Sequence, residues 1–242
     1  VKFEQKYSSS SGNLYTLQTS TGKTLLIECG VPYKRLLKAL NYDLSNIEAV
    51  LLSHEHNDHS QAVIELIEAG QDVYASAGTL SALGIKENCP HYRRTRAIAN
   101  NTLVKLPSFQ VFAFNVHHDA KEPMGFIIRE PATNEFMLFA TDTSHIEQRF
   151  TYPFSIIALE CSYSGEILGQ RVDTQTINEE LAKRLLTSHL EKGQTMRYIS
   201  EFCDLSKCRE LHLLHLSAEN IDKEQTINEF EKRFFLRPIT VN

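Results

Sequence analysis

The chain has 242 residues, 42% of them hydrophobic, with a formal net charge of −5 and charges of both signs interspersed. That length supports one sizeable α/β core, so a single domain over residues 1–242 is expected, and the charge excludes a strong global field for nucleic acid while leaving room for a local basic loop. Five scattered cysteines (Cys29, Cys89, Cys161, Cys203, Cys208) without a Cys-x-x-Cys pair argue against a disulfide framework or a thiolate zinc site. With no apolar run of membrane-spanning length and no signal-like N-terminus, a soluble cytoplasmic protein is expected.

Lys2–Tyr7, Leu14–Thr19 and Lys23–Cys29 read as strands separated by turns. The Ser8–Asn13 segment is either a flexible hairpin loop or a loop whose hydroxyls and N–H groups hold a phosphate, with Ser11, Gly12 and Asn13 as the candidates. Pro32–Leu40 has proline in its first turn and apolar residues at helical spacing. Next, the apolar run Ala49–Leu52 reads as a buried strand. It leads into Ser53-His54-Glu55-His56-Asn57-Asp58-His59-Ser60, three imidazoles and two carboxylates in eight positions, and Ser60–Ile67 then reads as a helix. Loops leaving the C-terminal ends of strands are where α/β proteins place their sites. His54 and His56, two apart in an extended segment, point to one side and can share a metal, whereas Asp58 and His59 at the helix start reach a neighbouring position. His-x-His-x-Asp-His is a ligand spacing that no core requires.

Asp72–Ala75 reads as a strand and Gly78–Leu83 as a short helix. His91–Arg96 is the densest basic run; Arg93, Arg94 and Arg96 are either solvated or placed to contact a polyanion. Three further β-like runs each end on a possible ligand. Phe109–Val116 delivers His117, His118 and Asp119, Glu135–Ala140 delivers Asp142, and Glu210–Leu214 delivers His215. Ile156–Leu159 ends in Glu160, and His189 stands ahead of the next helical stretch. Ala218–Phe235 carries Ile221, Ile227, Phe230 and Phe234 near helical spacing and reads as a terminal amphipathic packing helix.

The His54–His59 hexad is the signature of the metallo-β-lactamase superfamily, which the chain resembles from Ser11-Gly12-Asn13 to His215-Leu216-Ser217. His118-Asp119-Ala120 resembles the YycJ/WalJ-like (VicX-like) branch, whose members are DNA exonucleases. The resemblance implies an α/β fold, the αββα sandwich of two mixed β-sheets with outer helices. It implies two divalent cations, zinc or manganese: His54, His56, His118 and Asp142 around one, and Asp58, His59, His215 and Asp142 around the other. It further implies a metal-bridging water that hydrolyses phosphodiester bonds in a nucleic acid substrate, DNA being expected, with catalytic roles for Asp58, Glu160 and His189. The other reading within the superfamily is a small-molecule ester, lactone, thioester or lactam hydrolase. The stretch Thr24–Gly30 resembles the superfamily's second-strand motif, with Cys29 at the usual aspartate position and Glu28 beside it. The interval from Asp142 to His189 is too short for the domain that β-CASP nucleases insert. Neither a membrane nor a protein partner is implied.

Overall fold

The computed structural model describes residues 1–241. In chain order its elements are β1 (Lys2–Ser9), β2 (Gly12–Gln18), β3 (Thr24–Ile27), α1 (Tyr33–Ala39), β4 (Ile47–Leu51), α2 (Asn57–Ser60), α3 (Val63–Glu68), β5 (Val73–Ala75) and α4 (Ala77–Ala82). A 3-10 turn at Pro90–Arg94 follows, then β6 (Thr95–Ala97), β7 (Thr102–Lys105), β8 (Gln110–Asn115), β9 (Met124–Glu130), β10 (Glu135–Ala140) and β11 (Ile156–Glu160). The chain ends with α5 (Gly165–Asp173), α6 (Glu179–Ser188), α7 (Lys192–Phe202), β12 (Glu210–Leu214) and α8 (Lys223–Phe234). The strands form two six-stranded mixed sheets, ordered β1-β2-β3-β4-β5-β6 and β12-β11-β10-β9-β8-β7. With their helices they make the fold class that the sequence leads one to expect. The chain divides into two compact units, Val1–Asn115 with Ala120–Glu135, and Val116–Asp119 with Phe136–Thr240.

In the first unit, β3, β4 and β5 run parallel, with Ile27 beside Leu51 and Leu51 beside Tyr74. Their C-terminal ends therefore align, and the loops that begin at Glu28, Leu52 and Ser76 leave from one edge. Parallel strands buried on both faces need continuous apolar runs, and Leu25, Leu26, Ile27, Ala49, Val50, Leu51 and Leu52 are all buried. Leu36 of α1, Val63, Leu66 and Ile67 of α3, and Leu80 of α4 join Leu26, Val50 and Leu52 in one cluster.

The helix expected over residues 60–67 is interrupted. The N–H of Ala62 donates to the carbonyl of Cys29 (2.9 Å), and that of Cys29 donates to the carbonyl of His59 (2.7 Å), so the chain around α2 is bonded to the end of β3. This contact depends on Gly30, where an added Cβ would lie 1.6 Å from the carbonyl oxygen of Asp58.

In the second unit, β10, β11 and β12 are parallel, with Ala140 beside Leu159 and Glu160 beside Leu214. That register brings Asp142, Glu160 and His215 to the same edge. Tyr163, Leu168, Ile177 and Ala182 form a satellite cluster around α5 and α6. The C-terminal helix starts at Lys223 rather than Ala218, because Asp222 caps it by accepting the N–H of Gln225 (2.9 Å). β6, β7, β9, α5 and α6 are elements beyond those expected.

Gly30→Ala should destabilise the protein by roughly 1–3 kcal/mol or more, the cost of overpacking, and displace the Asp58–His59 backbone. Gly169→Ala, in α5 with no atom within 4 Å of its added Cβ, should instead raise stability by roughly 0.5–1 kcal/mol. Denaturant midpoints of the two variants check the contrast.

Candidate metal centre

The first unit carries the hexad on the loop after β4 and on α2, which holds Asp58 and His59. His54 and His59 are buried, and the His54 ring centroid lies 4.7 Å from that of His56 and 4.1 Å from that of His59. The Ser53 hydroxyl sits 2.8 Å from Nδ1 of His54, fixing that ring and turning Nε2 to the other side. Around His59, Oδ2 of Asp58 is 3.4 Å from Nε2 and Oε2 of Glu28 is 3.6 Å from Nδ1. Glu28 also accepts the N–H of Ser53 through Oε1 (3.1 Å). Burial raises the Glu28 carboxyl above its usual range, with His59 partly offsetting that effect. The neighbouring Cys29 thiol lies in the apolar cluster, so the carboxylate supporting the loop is Glu28. Glu55, at a variable position of the hexad, accepts the N–H of Lys121 (2.7 Å).

Asn13, expected in a phosphate-holding loop, is fully buried against the hexad. Its Nδ2 donates to the carbonyl of Asp58 (3.1 Å) and lies 3.0 Å from Nε2 of His59, while its Oδ1 accepts the Tyr15 hydroxyl (3.0 Å). Gly12 is buried too, with room for no Cβ beneath the Gly30 carbonyl; Ser11 is exposed at the hairpin turn. Arg93, Arg94 and Arg96 are exposed along β6 and the turn before it. Arg94 pairs with Asp72 (3.1 Å), and Arg96 folds back on the carbonyls of Arg93 and Thr95 (2.9 Å each).

The second unit brings together His118, Asp142, Glu160, His189 and His215. Asp142 uses its two oxygens differently: Oδ1 lies 3.1 Å from Nδ1 of His215 and Oδ2 lies 3.7 Å from Nε2 of His118. Nδ1 of His118 is 2.9 Å from the carbonyl of Ser188, which selects the tautomer that leaves Nε2 as an acceptor. Glu160 is fully buried and receives four groups: Nδ1 of His189 (2.6 Å), Nδ1 of His215 (3.3 Å), and the N–H groups of Thr143 (2.7 Å) and Leu190 (3.2 Å). Asp142 (φ 43°) and His215 (φ 53°) are both left-handed, a conformation costing roughly 1–2 kcal/mol per non-glycine residue. Such strain gathers where a site dictates the backbone.

The electrostatics follow from this crowding. Burial lowers the pKa of His215, but Asp142 and Glu160 outweigh it and raise it to about 10. His189 is likewise raised, burial being overcome by Glu160. His118 is lowered, because burial outweighs Asp142, so its ring is neutral. Burial raises the Glu160 carboxyl, and His189 with His215 more than reverse this, so it stays ionised. Two buried carboxylates thus hold protons on adjacent imidazoles. Asp142, Glu160, His189 and His215 each offer one ligand atom, all within 4.8 Å of one another. Buried oxygen and imidazole donors at this density fit a divalent cation once the imidazole protons are displaced.

A family profile described as "Beta-lactamase superfamily domain" matches residues 23–202. The chain belongs to that superfamily. Its members' chemistry makes it a metal-dependent hydrolase. It is similar to a protein named exodeoxyribonuclease WalJ from Streptococcus pneumoniae serotype 2 (strain D39 / NCTC 7466), 26% identical over 238 residues, covering 92% of this chain and 84% of that one. A protein named exodeoxyribonuclease YycJ from Bacillus anthracis is 27% identical over 154 residues, 62% of this chain and 57% of that one. Among solved structures, the metallo-β-lactamase fold protein YhfI from Bacillus subtilis superposes with a TM-score of 0.74 at 15% identity, over 99% of this chain and 95% of that one. No helix among the described residues is long and apolar enough to cross a membrane.

The sequence left the supporting position between Cys29, at the usual aspartate place, and Glu28 beside it; Glu28 is the one whose carboxylate meets the loop. The signal was present: a lone carboxylate closing an apolar run, as Glu160 closes Ile156–Leu159. The partners of Asp119 were not legible. Its side chain lies 3.1 Å from Nε2 of His118 and accepts Nε of Arg184 (2.8 Å), 65 residues away in the chain.

Ligation requires neutral imidazole, so a cation entering beside Asp142 must displace the His215 proton, held with a pKa of about 10. Metal affinity should therefore rise with pH across the neutral range, and binding should release protons. Titration calorimetry in buffers of different ionisation enthalpy measures the release; a proton count of zero contradicts it.

Proposed function

We propose that residues 1–242 work as one catalytic domain, a divalent-metal-dependent phosphodiesterase that removes nucleotides from DNA. The observation that carries the metal half of this reading is Asp142, whose two oxygens face different histidines, the disposition a carboxylate needs to bridge two cations. Support for the substrate half is similarity, over 92% of the chain, to a protein named exodeoxyribonuclease. In this reading His54, His56, His118 and Asp142 would hold one cation and Asp58, His59, His215 and Asp142 the other, zinc or manganese. The chemistry gained from cations bound there would be ionisation of a water near neutral pH and neutralisation of charge on phosphoryl oxygens.

The chain's own residues do the rest. Glu160 accepts Nδ1–H of His189, which orients the ring and leaves Nε2 to pass a proton to the departing oxygen. Glu160 raises the basicity of His189, which favours the protonated ring that such a step requires. Glu160 itself is a positioning residue, holding His189, His215 and the Asp142–Thr143 loop together. Exposed Ser11, Arg93, Arg94 and Arg96 are assigned to the phosphodiester backbone. Asn13 is assigned to holding His59.

Metal-reconstituted protein should release mononucleotides from end-labelled DNA. Opening of a lactone, thioester or lactam with no release from any oligonucleotide would replace the nuclease reading by the small-molecule one. Asp142→Ala should abolish turnover and weaken metal uptake. His189→Ala should lower kcat by about 10²–10⁴-fold, with metal content unchanged. Replacing Arg93, Arg94 and Arg96 together by alanine should raise KM for an oligonucleotide and flatten its salt dependence. A small chromogenic phosphodiester should be hydrolysed as before.

A further inference from the structure

One cluster in the second unit takes no part in the site described above. His117, His145 and Glu147 bring Nε2, Nε2 and Oε1 together on the surface: Oε1 of Glu147 lies 3.1 Å from Nε2 of His117 and 3.7 Å from Nε2 of His145. The two imidazoles stack with centroids 3.8 Å apart and an interplanar angle of 12°, presenting the same edge to the carboxylate. Two ligand atoms at bonds of about 2.0–2.2 Å and a tetrahedral angle stand ~3.4 Å apart, and the two observed separations bracket that value. The two nitrogens and the carboxylate oxygen are close enough to share one cation after the exposed rings turn from their parallel stack so that their in-plane lone pairs converge.

The backbone beneath is fixed before any ligand arrives. The hydroxyl of Thr143 accepts the N–H of His117 (3.0 Å) and donates to the carbonyl of His145 (2.7 Å), while the N–H of Ser144 donates to the carbonyl of His117 (2.8 Å). The Ser144 hydroxyl lies 3.0 Å from Nδ1 of His145, which leaves Nε2 of that ring facing Glu147. Metal-ligating histidines are held in this way, by a polar partner on the nitrogen that does not ligate. All three side chains are solvent-facing, so further coordination positions would be open to water or an anion.

We propose that His117, His145 and Glu147 form an additional, surface site for a first-row divalent cation with imidazole affinity, separate from the cations assigned to Asp142. It binds more weakly than the buried set, because its one carboxylate is exposed and solvent competes for every ligand. The inference does not depend on the nuclease reading.

Equilibrium dialysis of the full chain against Zn²⁺, with metal analysis, provides the test. Wild-type protein should take up a weaker equivalent beyond the tight ones, and His145→Ala and Glu147→Gln should each lose that equivalent while keeping the tight ones and the melting temperature. The proposal is overturned if wild type shows no weaker equivalent, or if it survives in both variants. Asp142→Ala serves as the independent arm: retention of all tight metal there would sink the catalytic assignment and leave the outcome for His145 and Glu147 unaffected.

Discussion

The buried carboxylate of Glu160 accepts four donors, two imidazoles and two backbone N–H groups, at the edge where β10, β11 and β12 end together. Taking a carboxylate out of water costs several kcal/mol, recovered only when its lone pairs are all used with good geometry. Here they are used, and each donor has a consequence. Thr143 N–H sets the loop carrying Asp142, Leu190 N–H sets the turn between α6 and α7, and the two rings become His189 and His215 in fixed orientations. The parallel register of three strands is what delivers Asp142, Glu160 and His215 to one place.

The first unit repeats the device with Glu28, another fully buried carboxylate at the end of an apolar parallel strand. It accepts Ser53 N–H and lies beside His59, so the hexad is anchored from the strand next to its own. Gly30 allows the loop to close on that strand, and Asn13 holds it from β2. In both units the residues that would ligate metal are held by a buried carboxylate one layer behind them, Glu160 through four donors and Glu28 through Ser53 N–H with His59 beside it, the supporting arrangement on which metal sites depend.

What the sequence disclosed follows from this physics. The hexad was legible because imidazoles and carboxylates at that spacing serve no packing purpose, and Asp142, Glu160 and His215 because each closes an apolar run. Asn13 read as a turn residue beside four serines; its burial depends on Tyr15, Asp58 and His59, contacts local sequence does not carry. β9 was missed because Met124–Glu130 is buried on both faces and shows no period-two alternation. α6 was missed because Leu181 and Leu186 face solvent and blur its apolar stripe. The pairing of His117 with His145 and Glu147 comes from two loops bound through Thr143, and nothing in either loop alone announces it.

Anomalous diffraction at the metal edge, from crystals of the full chain grown with saturating Zn²⁺ or Mn²⁺, tests most directly whether the buried carboxylates form a cation site. A peak about 2.0–2.2 Å from an oxygen of Asp142 is the expected result, with Glu160 still hydrogen-bonded to His189. Saturated crystals showing Asp142 bonded only to His215, with no anomalous peak beside it, would contradict it.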